Sequence, residues 1–103
     1  MSKFTVVYDA CVLYPAPLRD LLMRLALTDL FKAQWTDEIH EEWINALLRN
    51  DKFKREDLER VKDLMDAHVR DAKVYGYEDL IETIELPDPN DRHVVAAAIK
   101  CNA

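Results

Sequence analysis

The chain has 103 residues, half of them hydrophobic and a third charged, with a formal net charge of -6. This length predicts one small domain, spanning residues 1–103, that buries a single core. The single glycine excludes the glycine-rich phosphate loops of Walker and Rossmann sites. The acidic balance argues against nonspecific nucleic-acid binding, but it leaves open an acidic site that approaches phosphates through bound cations.

The two cysteines, Cys11 and Cys101, are too few and too far apart for a zinc motif or a disulfide scaffold. This usage favours a reducing compartment. The first strand-forming residues follow Met1 closely, which leaves no room for a signal peptide, and no apolar run approaches the ~20 residues of a membrane span. We therefore expect a cytoplasmic protein that does not cross a membrane.

The first informative segment is an unbroken run of β-forming residues, residues 4–8, that stops at Asp9. Such a run predicts a strand covered on both faces, as in a parallel α/β sheet. Ligands of these sheets gather at the carboxyl ends of the strands, where Asp9 lies. An aspartate after a strand also starts turns, so the position alone leaves a structural and a functional role open.

Leucines at helical spacing then predict an amphipathic helix from about Pro17 to Phe31. Its expected buried stripe is Leu18, Leu21, Leu22 and Leu25. The segment 32–35 is expected to form a short second strand. Together these segments make a first strand–helix–strand unit.

The next helix is expected to begin at an N-cap, Thr36 or Asp37. Its predicted buried stripe is Ile39, Trp43, Ala46 and Leu47. At 100° per residue Glu41 points away from this stripe and is expected to be solvated, whereas Glu42 lies at its edge. Glu42 either reaches toward a neighbouring strand end or pairs with a base.

A basic stretch, residues 49–55, is better explained as a solvated helix junction than as an RNA contact. The third helix that follows has a predicted stripe of Leu58, Val61, Met65 and Val69. A short strand or extended segment is expected at 73–75, before a turn at Gly76. A short helix is then expected from Tyr77 to Ile84.

The second informative segment, residues 86–94, opens the last helix. Asp88 is expected to be its N-cap and Pro89 its first residue. The predicted buried face is Val94, Val95, Ala98 and Ile99. Asp91 falls on that face, where a carboxylate needs hydrogen bonds or a cation. His93 points elsewhere, and we expect a surface histidine or hydrogen-bond donor rather than a ligand.

Three carboxylates therefore stand out by placement: Asp9, Glu42 and Asp91. Clustered acids without matching bases repel one another unless a cation neutralises them. Ligation by oxygen alone favours Mg²⁺ or Mn²⁺ over zinc. Such ions activate water and neutralise charge on a phosphodiester.

Three segments resemble the PIN-domain family, which includes the VapC-like ribonuclease toxins of toxin–antitoxin pairs. They are residues 7–13, residues 35–43, and residues 86–94 with the alanine-rich helix that follows. The resemblance implies a parallel sheet between helical layers (a three-layer α/β/α fold). It also implies a divalent-metal-dependent endoribonuclease in which Asp9, Glu42 and Asp91 hold the metal. Asp88 is then a secondary candidate ligand.

The resemblance also implies partners, because family members are often homodimers and the toxins are inhibited by an antitoxin protein. The family pattern continues after the segment matching residues 96–103 with another strand and another acidic or amide site residue. We therefore expect a domain that is shortened at its C-terminus, with a sheet edge that a second chain covers.

Two other functions stay open. The first is a catalytically impaired PIN domain that only binds an antitoxin or a second copy. The second is a phosphotransfer domain with Asp9 as acceptor, which is disfavoured because the residues after Asp9, Ala10 and Cys11, do not supply a second aspartate.

Overall fold

The computed structural model describes residues 4–28 and 30–103, in which short parallel strands are combined with helices. The elements in chain order are β1 (Thr5–Val7), α1 (Ala10–Leu13), α2 (Ala16–Leu27), β2 (Lys32–Gln34), α3 (Asp37–Leu48), α4 (Arg55–His68), α5 (Glu78–Ile81), a 3₁₀ turn (Pro89–Asp91) and α6 (Arg92–Lys100). No helix in these residues combines the length and apolarity needed to cross a bilayer.

The sheet confirms the predicted parallel α/β class. β1 and β2 run parallel, with Thr5 opposite Lys32 and Val7 opposite Gln34. A parallel bridge from Trp35 to Lys73 continues the sheet beyond β2. There the backbone N–H of Trp35 donates to Ala72 O at 2.8 Å. The segment predicted at 73–75 is thus extended chain on the sheet.

The first strand is less buried than predicted. Among the described residues β1 pairs with β2 alone and lies at the edge of the sheet. Its central residue, Val6, is 39% exposed, so the expectation of a strand covered on both faces is wrong. An edge strand carries the same β-forming residues as a central one, and an unbroken apolar run does not separate the two cases.

Helix α2 buries only part of the predicted leucine stripe: Leu22 and Leu25 are half-buried, and Leu22 packs against the core. Leu18 and Leu21 are exposed, while Arg19 is buried. The Arg19 side chain donates to Leu13 O at 2.8 Å, and its guanidinium lies 4.9 Å from the ring centroid of Trp43. These contacts turn α2 so that a charged residue faces the core. The helix ends at Leu27, short of the predicted end, and Asp29 lies outside the described residues, as do residues 1–3.

Helix α3 follows the prediction most closely. Thr36 is its N-cap, and its hydroxyl oxygen accepts from Ile39 N at 3.0 Å. The buried residues are Ile39, His40, Trp43, Ile44 and Leu47. Ala46 is only half-buried, and His40 and Ile44 are additions to the predicted stripe. The partner helix α4 buries Leu58 and Met65, as expected.

A polar network around Asp66 joins α3, α4 and the sheet. The Trp35 indole N–H donates to Asp66 Oδ1 at 2.8 Å, and His40 Nε2 lies 2.9 Å from the same oxygen. Lys73 Nζ lies 3.2 Å from Asp66 Oδ2. The Trp43 indole N–H donates to His40 Nδ1 at 3.0 Å. Because Nδ1 accepts this bond, the imidazole proton is on Nε2 and is donated to Asp66.

The pKa values of His40 and Asp66 are both lowered, by different causes, whereas the carboxylates of Asp37 and Asp66 raise that of Lys73. Burial lowers the pKa of His40, although its bond to Asp66 opposes the shift. A second proton on His40 would also place Nδ1–H against the Trp43 N–H. Burial pushes the pKa of Asp66 upward, but the hydrogen bonds from Trp35 and His40 outweigh it and hold that pKa below its usual range.

Helix α6 packs between β1 and α5, and it buries Ala96 and Ala97 together with His93. The predicted face is therefore rotated: Val94, Val95 and Ala98 are half-buried and Ile99 is exposed. Two small residues let α5 approach the α6 backbone closely, which places the alanines rather than the larger side chains inside. Together with Val74 and Tyr77 they form a second apolar cluster.

We expect the free energy of unfolding to fall as the pH drops below 6.5, the ordinary pKa of histidine. The unfolded chain binds a proton on His40 at that pH, whereas the folded chain binds it only at lower pH, so acid favours unfolding. One such group contributes at most about 1.4 kcal/mol per pH unit. Asp66 acts in the same direction below its ordinary pKa of 3.8. Urea unfolding between about pH 7 and about pH 5 measures the histidine contribution.

The control for this prediction is His40→Gln, which removes the titrating group and keeps an amide that can donate to Asp66. This variant should be less stable than the wild type near neutral pH but should lose less stability on acidification. Parallel curves of stability against pH for the two proteins would contradict the assignment.

Candidate functional site

Asp9 is fixed just beyond the carboxyl end of β1. The preceding residue, Tyr8, is buried and stacks on Trp35 with ring centroids 6.1 Å apart, and its hydroxyl donates to Leu22 O at 2.9 Å. Burial raises the pKa of Tyr8 to about 12. Asp9 itself is the N-cap of α1, where Oδ1 accepts from Val12 N at 3.2 Å. The turn role considered from the sequence is therefore present.

Glu42 leaves α3 toward α6. Its Oε1 lies 2.7 Å from His93 Nε2, and its side chain is 42% exposed. The neighbouring Glu41 points elsewhere, with its Oε1 3.6 Å from Arg55 Nη1 and its side chain 50% exposed. The predicted difference between the two glutamates is present in the structure. Of the two alternatives for Glu42, pairing with a basic group is observed.

The two aspartates before α6 have different surroundings. Asp88 caps the 3₁₀ turn, with Oδ1 accepting from Asn90 N at 2.9 Å. Asp91 comes directly before α6 and is exposed rather than core-facing. The chain thus turns from Asp88 into α6 so that Asp91, and not Asp88, faces the end of β1.

One cavity of about 300 Å³ brings the three predicted acids together. Its wall is formed by Asp9, Ala10, Cys11, Glu42, Asp91, Val94 and Val95. The acids come from three separate elements, and among these described residues there is no lysine or arginine. The arrangement collects negative charge in a recess with an apolar side.

The donor chemistry of this cavity fits a hard divalent cation, because carboxylate oxygens are the ligands that Mg²⁺ and Mn²⁺ prefer. As the side chains stand, they surround the cavity without converging. Over residues 4–28 and 30–103, no three His, Cys, Asp or Glu side chains come close enough to hold one ion. Asp91 is exposed, and the Glu42 side chain is 42% exposed.

His93 is the residue whose placement the sequence did not indicate. It is buried rather than on the surface, so the expectation of a surface histidine is wrong, and its Nε2 lies 2.7 Å from Glu42 Oε1. Its Nδ1 lies 3.9 Å from Glu38 Oε1 and has no hydrogen-bond partner within the described chain. The sequence signal lies in Ala96 and Ala97: His93 precedes them by one helical turn and shares their face.

Glu38 is held in turn by Tyr77, whose hydroxyl donates to Glu38 Oε1 at 2.8 Å. Burial and the neighbouring carboxylate of Glu38 raise the pKa of Tyr77 to about 12, so the hydroxyl keeps its proton at neutral pH. Glu38, Glu42 and His93 line a second cavity of about 310 Å³. Glu42 therefore lines both cavities.

Comparison with known proteins identifies the family. Neither the search of curated proteins nor the search of solved structures found a match. A family model described as the PIN domain matches residues 5–103. This match spans nearly all of the chain and includes Asp9, Glu42 and Asp91, and the chain therefore belongs to the PIN-domain family.

Proposed function

We propose that this protein is a divalent-metal-dependent endoribonuclease in which Asp9, Glu42 and Asp91 hold Mg²⁺ or Mn²⁺. PIN domains are in general nucleases, which gives the broad class of the reaction. The observation that carries the finer proposal is the shared cavity, which is lined by three carboxylates from three elements and by no basic residue in the described wall. A bound cation would offset the repulsion between these acids.

Each acid contributes to this site in its own way. Asp9 is held through Oδ1 by the backbone of α1, so Oδ2 is the atom we assign to the cation. Glu42 is held through Oε1 by His93, so we assign Oε2. Asp91 is the exposed member and would be the third ligand of a bound ion. The ion supplies Lewis-acid activation of water and neutralises charge that develops on the phosphate.

The net charge of -6 is compatible with an RNA substrate under this proposal. A polyanion is repelled by an acidic recess, and a bound cation inverts that local field. Val94 and Val95 form the apolar side of the recess. The described chain thus provides the acids, while RNA affinity depends on the ion.

We also propose that the protein is a VapC-like toxin that acts as a homodimer and is inhibited by an antitoxin protein. Apolar side chains exposed on and around β1 and α2 support an association surface there: Phe4, Val6, Leu18, Leu21, Leu27 and Leu30. In the isolated protein, a second copy of the chain covers this surface. Cys11 and Cys101 are free, which agrees with a cytoplasmic location.

The first test is cleavage of a mixed structured RNA by purified protein with Mn²⁺. We expect cleavage that is lost on adding EDTA and lost in Asp9→Asn. Asparagine is as good an N-cap as aspartate, so this variant should keep α1 and its fold. Circular dichroism and thermal unfolding check that it does.

A folded wild-type protein that binds Mn²⁺ but cleaves no RNA would contradict the nuclease proposal. It would favour the alternative of a PIN domain that only binds a partner. Cleavage that survives in EDTA would instead contradict the metal requirement.

The second test compares Glu42→Gln with the matched control Glu41→Gln in calorimetric titrations with Mn²⁺. Loss of one carboxylate ligand should weaken binding on the order of tenfold in Glu42→Gln, about 1.4 kcal/mol. Glu41 faces Arg55 and solvent, so its substitution should leave the isotherm unchanged. Equal isotherms for the two variants would remove Glu42 from the site.

The third test is whether the protein forms the proposed homodimer. Leu21 on α2 and Leu64 on α4 are both 52% exposed, which makes them a matched pair. We expect sedimentation velocity to show a dimer for the wild type and for Leu64→Lys, and a monomer for Leu21→Lys. A lysine at the interface leaves a charge without a partner, whereas one on the outer face of α4 stays solvated. A monomeric wild type at micromolar concentration would refute the dimer.

A further inference from the structure

We propose that His93 is a positioning residue that presets the Glu42 carboxylate for cation binding, an inference that rests on the proposed function. His93 does not line the cavity that holds Asp9 and Asp91. It acts from behind, through the 2.7 Å contact between its Nε2 and Glu42 Oε1. Groups that orient metal ligands in this way contribute to affinity without touching the ion.

The burial of the two partners gives the direction of this effect. The His93 side chain is 7% exposed, whereas that of Glu42 is 42% exposed. A glutamate with that exposure samples several rotamers when nothing holds it. The imidazole is buried and has less freedom than the glutamate, so the 2.7 Å contact between them orders the carboxylate before any ion binds.

The fold fixes His93 through the helix that carries it. Ala96 and Ala97, one turn later on the same face of α6, are fully buried. The close packing of these small residues against neighbouring elements holds the face that carries His93 toward the interior. His93 lies two residues after Asp91, so the start of α6 provides one acid and also orients a second acid on α3.

The geometry also specifies which imidazole nitrogen matters. Nε2 makes the bond to Glu42, whereas Nδ1 faces Glu38 at 3.9 Å. A glutamine side chain places its amide nitrogen near the position of Nε2, and the shorter asparagine places it near that of Nδ1. His93→Gln should therefore preserve the bond to Glu42, and His93→Asn should lose it.

The experiment is a calorimetric titration of the full chain with Mn²⁺ alone. We expect His93→Asn to bind Mn²⁺ about 10- to 100-fold more weakly than the wild type, and His93→Gln to restore most of the affinity. A general packing defect would weaken Mn²⁺ binding to a similar extent in both variants, whichever imidazole nitrogen the amide replaces. In the Glu42→Gln background, His93→Asn should add little further loss, because both substitutions remove the same contact.

A measurement without metal tests the contact itself. Nitrogen NMR of the wild-type imidazole should show a proton on Nε2 of His93. The ring signals should shift in Glu42→Gln and stay in place in Glu41→Gln. A His93 protonated on Nδ1 alone, or ring signals that do not respond to Glu42→Gln, would overturn the inference even if an Asn variant fails to fold.

The outcomes separate this inference from the function on which it rests. A wild type that binds no Mn²⁺ refutes the metal site, and the positioning role with it. A wild type that binds Mn²⁺ and a folded His93→Asn that binds it equally well refute the positioning role alone. Equal losses in His93→Asn and His93→Gln would also contradict it.

Discussion

The carboxylate of Asp66 is the group on which the arrangement of the helices depends. It receives hydrogen bonds from Trp35 at the end of β2 and from His40 on α3, and its second oxygen pairs with Lys73. The Asp66 side chain is only 19% exposed, and a carboxylate so placed is destabilising unless it receives hydrogen bonds. With them it joins two helices to the sheet, and each donor in turn loses its partner if the carboxylate is removed.

This network also decides where the candidate site lies. His40 is fully buried and bound on both ring nitrogens, which fixes the rotation of α3 about its axis. Glu42 follows two residues later, on the far side of the helix, and is thereby directed toward α6. On α6, the Nε2 of His93 contacts the Glu42 carboxylate. A residue that contacts α4 thus sets the direction of a residue at the cavity on the opposite side.

Local rules were enough for the parts of the site that depend on nearby sequence. The N-caps at Thr36 and Asp88, the strand end before Asp9 and the different directions of Glu41 and Glu42 all follow from spacing within one element. Which charged or titratable residues are buried was not predicted from spacing, because their partners are distant in the chain. Arg19 is buried by its contacts with Leu13 and Trp43, and the leucines predicted a face that is rotated from the observed one by about one residue, or 100°. His40 could have been recognised, since it lies one turn before Trp43 and Ile44 on their face.

The tryptophans at the centre of this structure give it an internal optical reporter. The chain has two, Trp35 and Trp43, both fully buried, and each donates its indole N–H to a member of the Asp66 network. Their emission therefore comes entirely from the polar centre that fixes α3. Any loosening of the Asp66 network therefore shifts the wavelength of the tryptophan emission. Motion confined to the exposed ends of α2 or α6 leaves that emission unchanged.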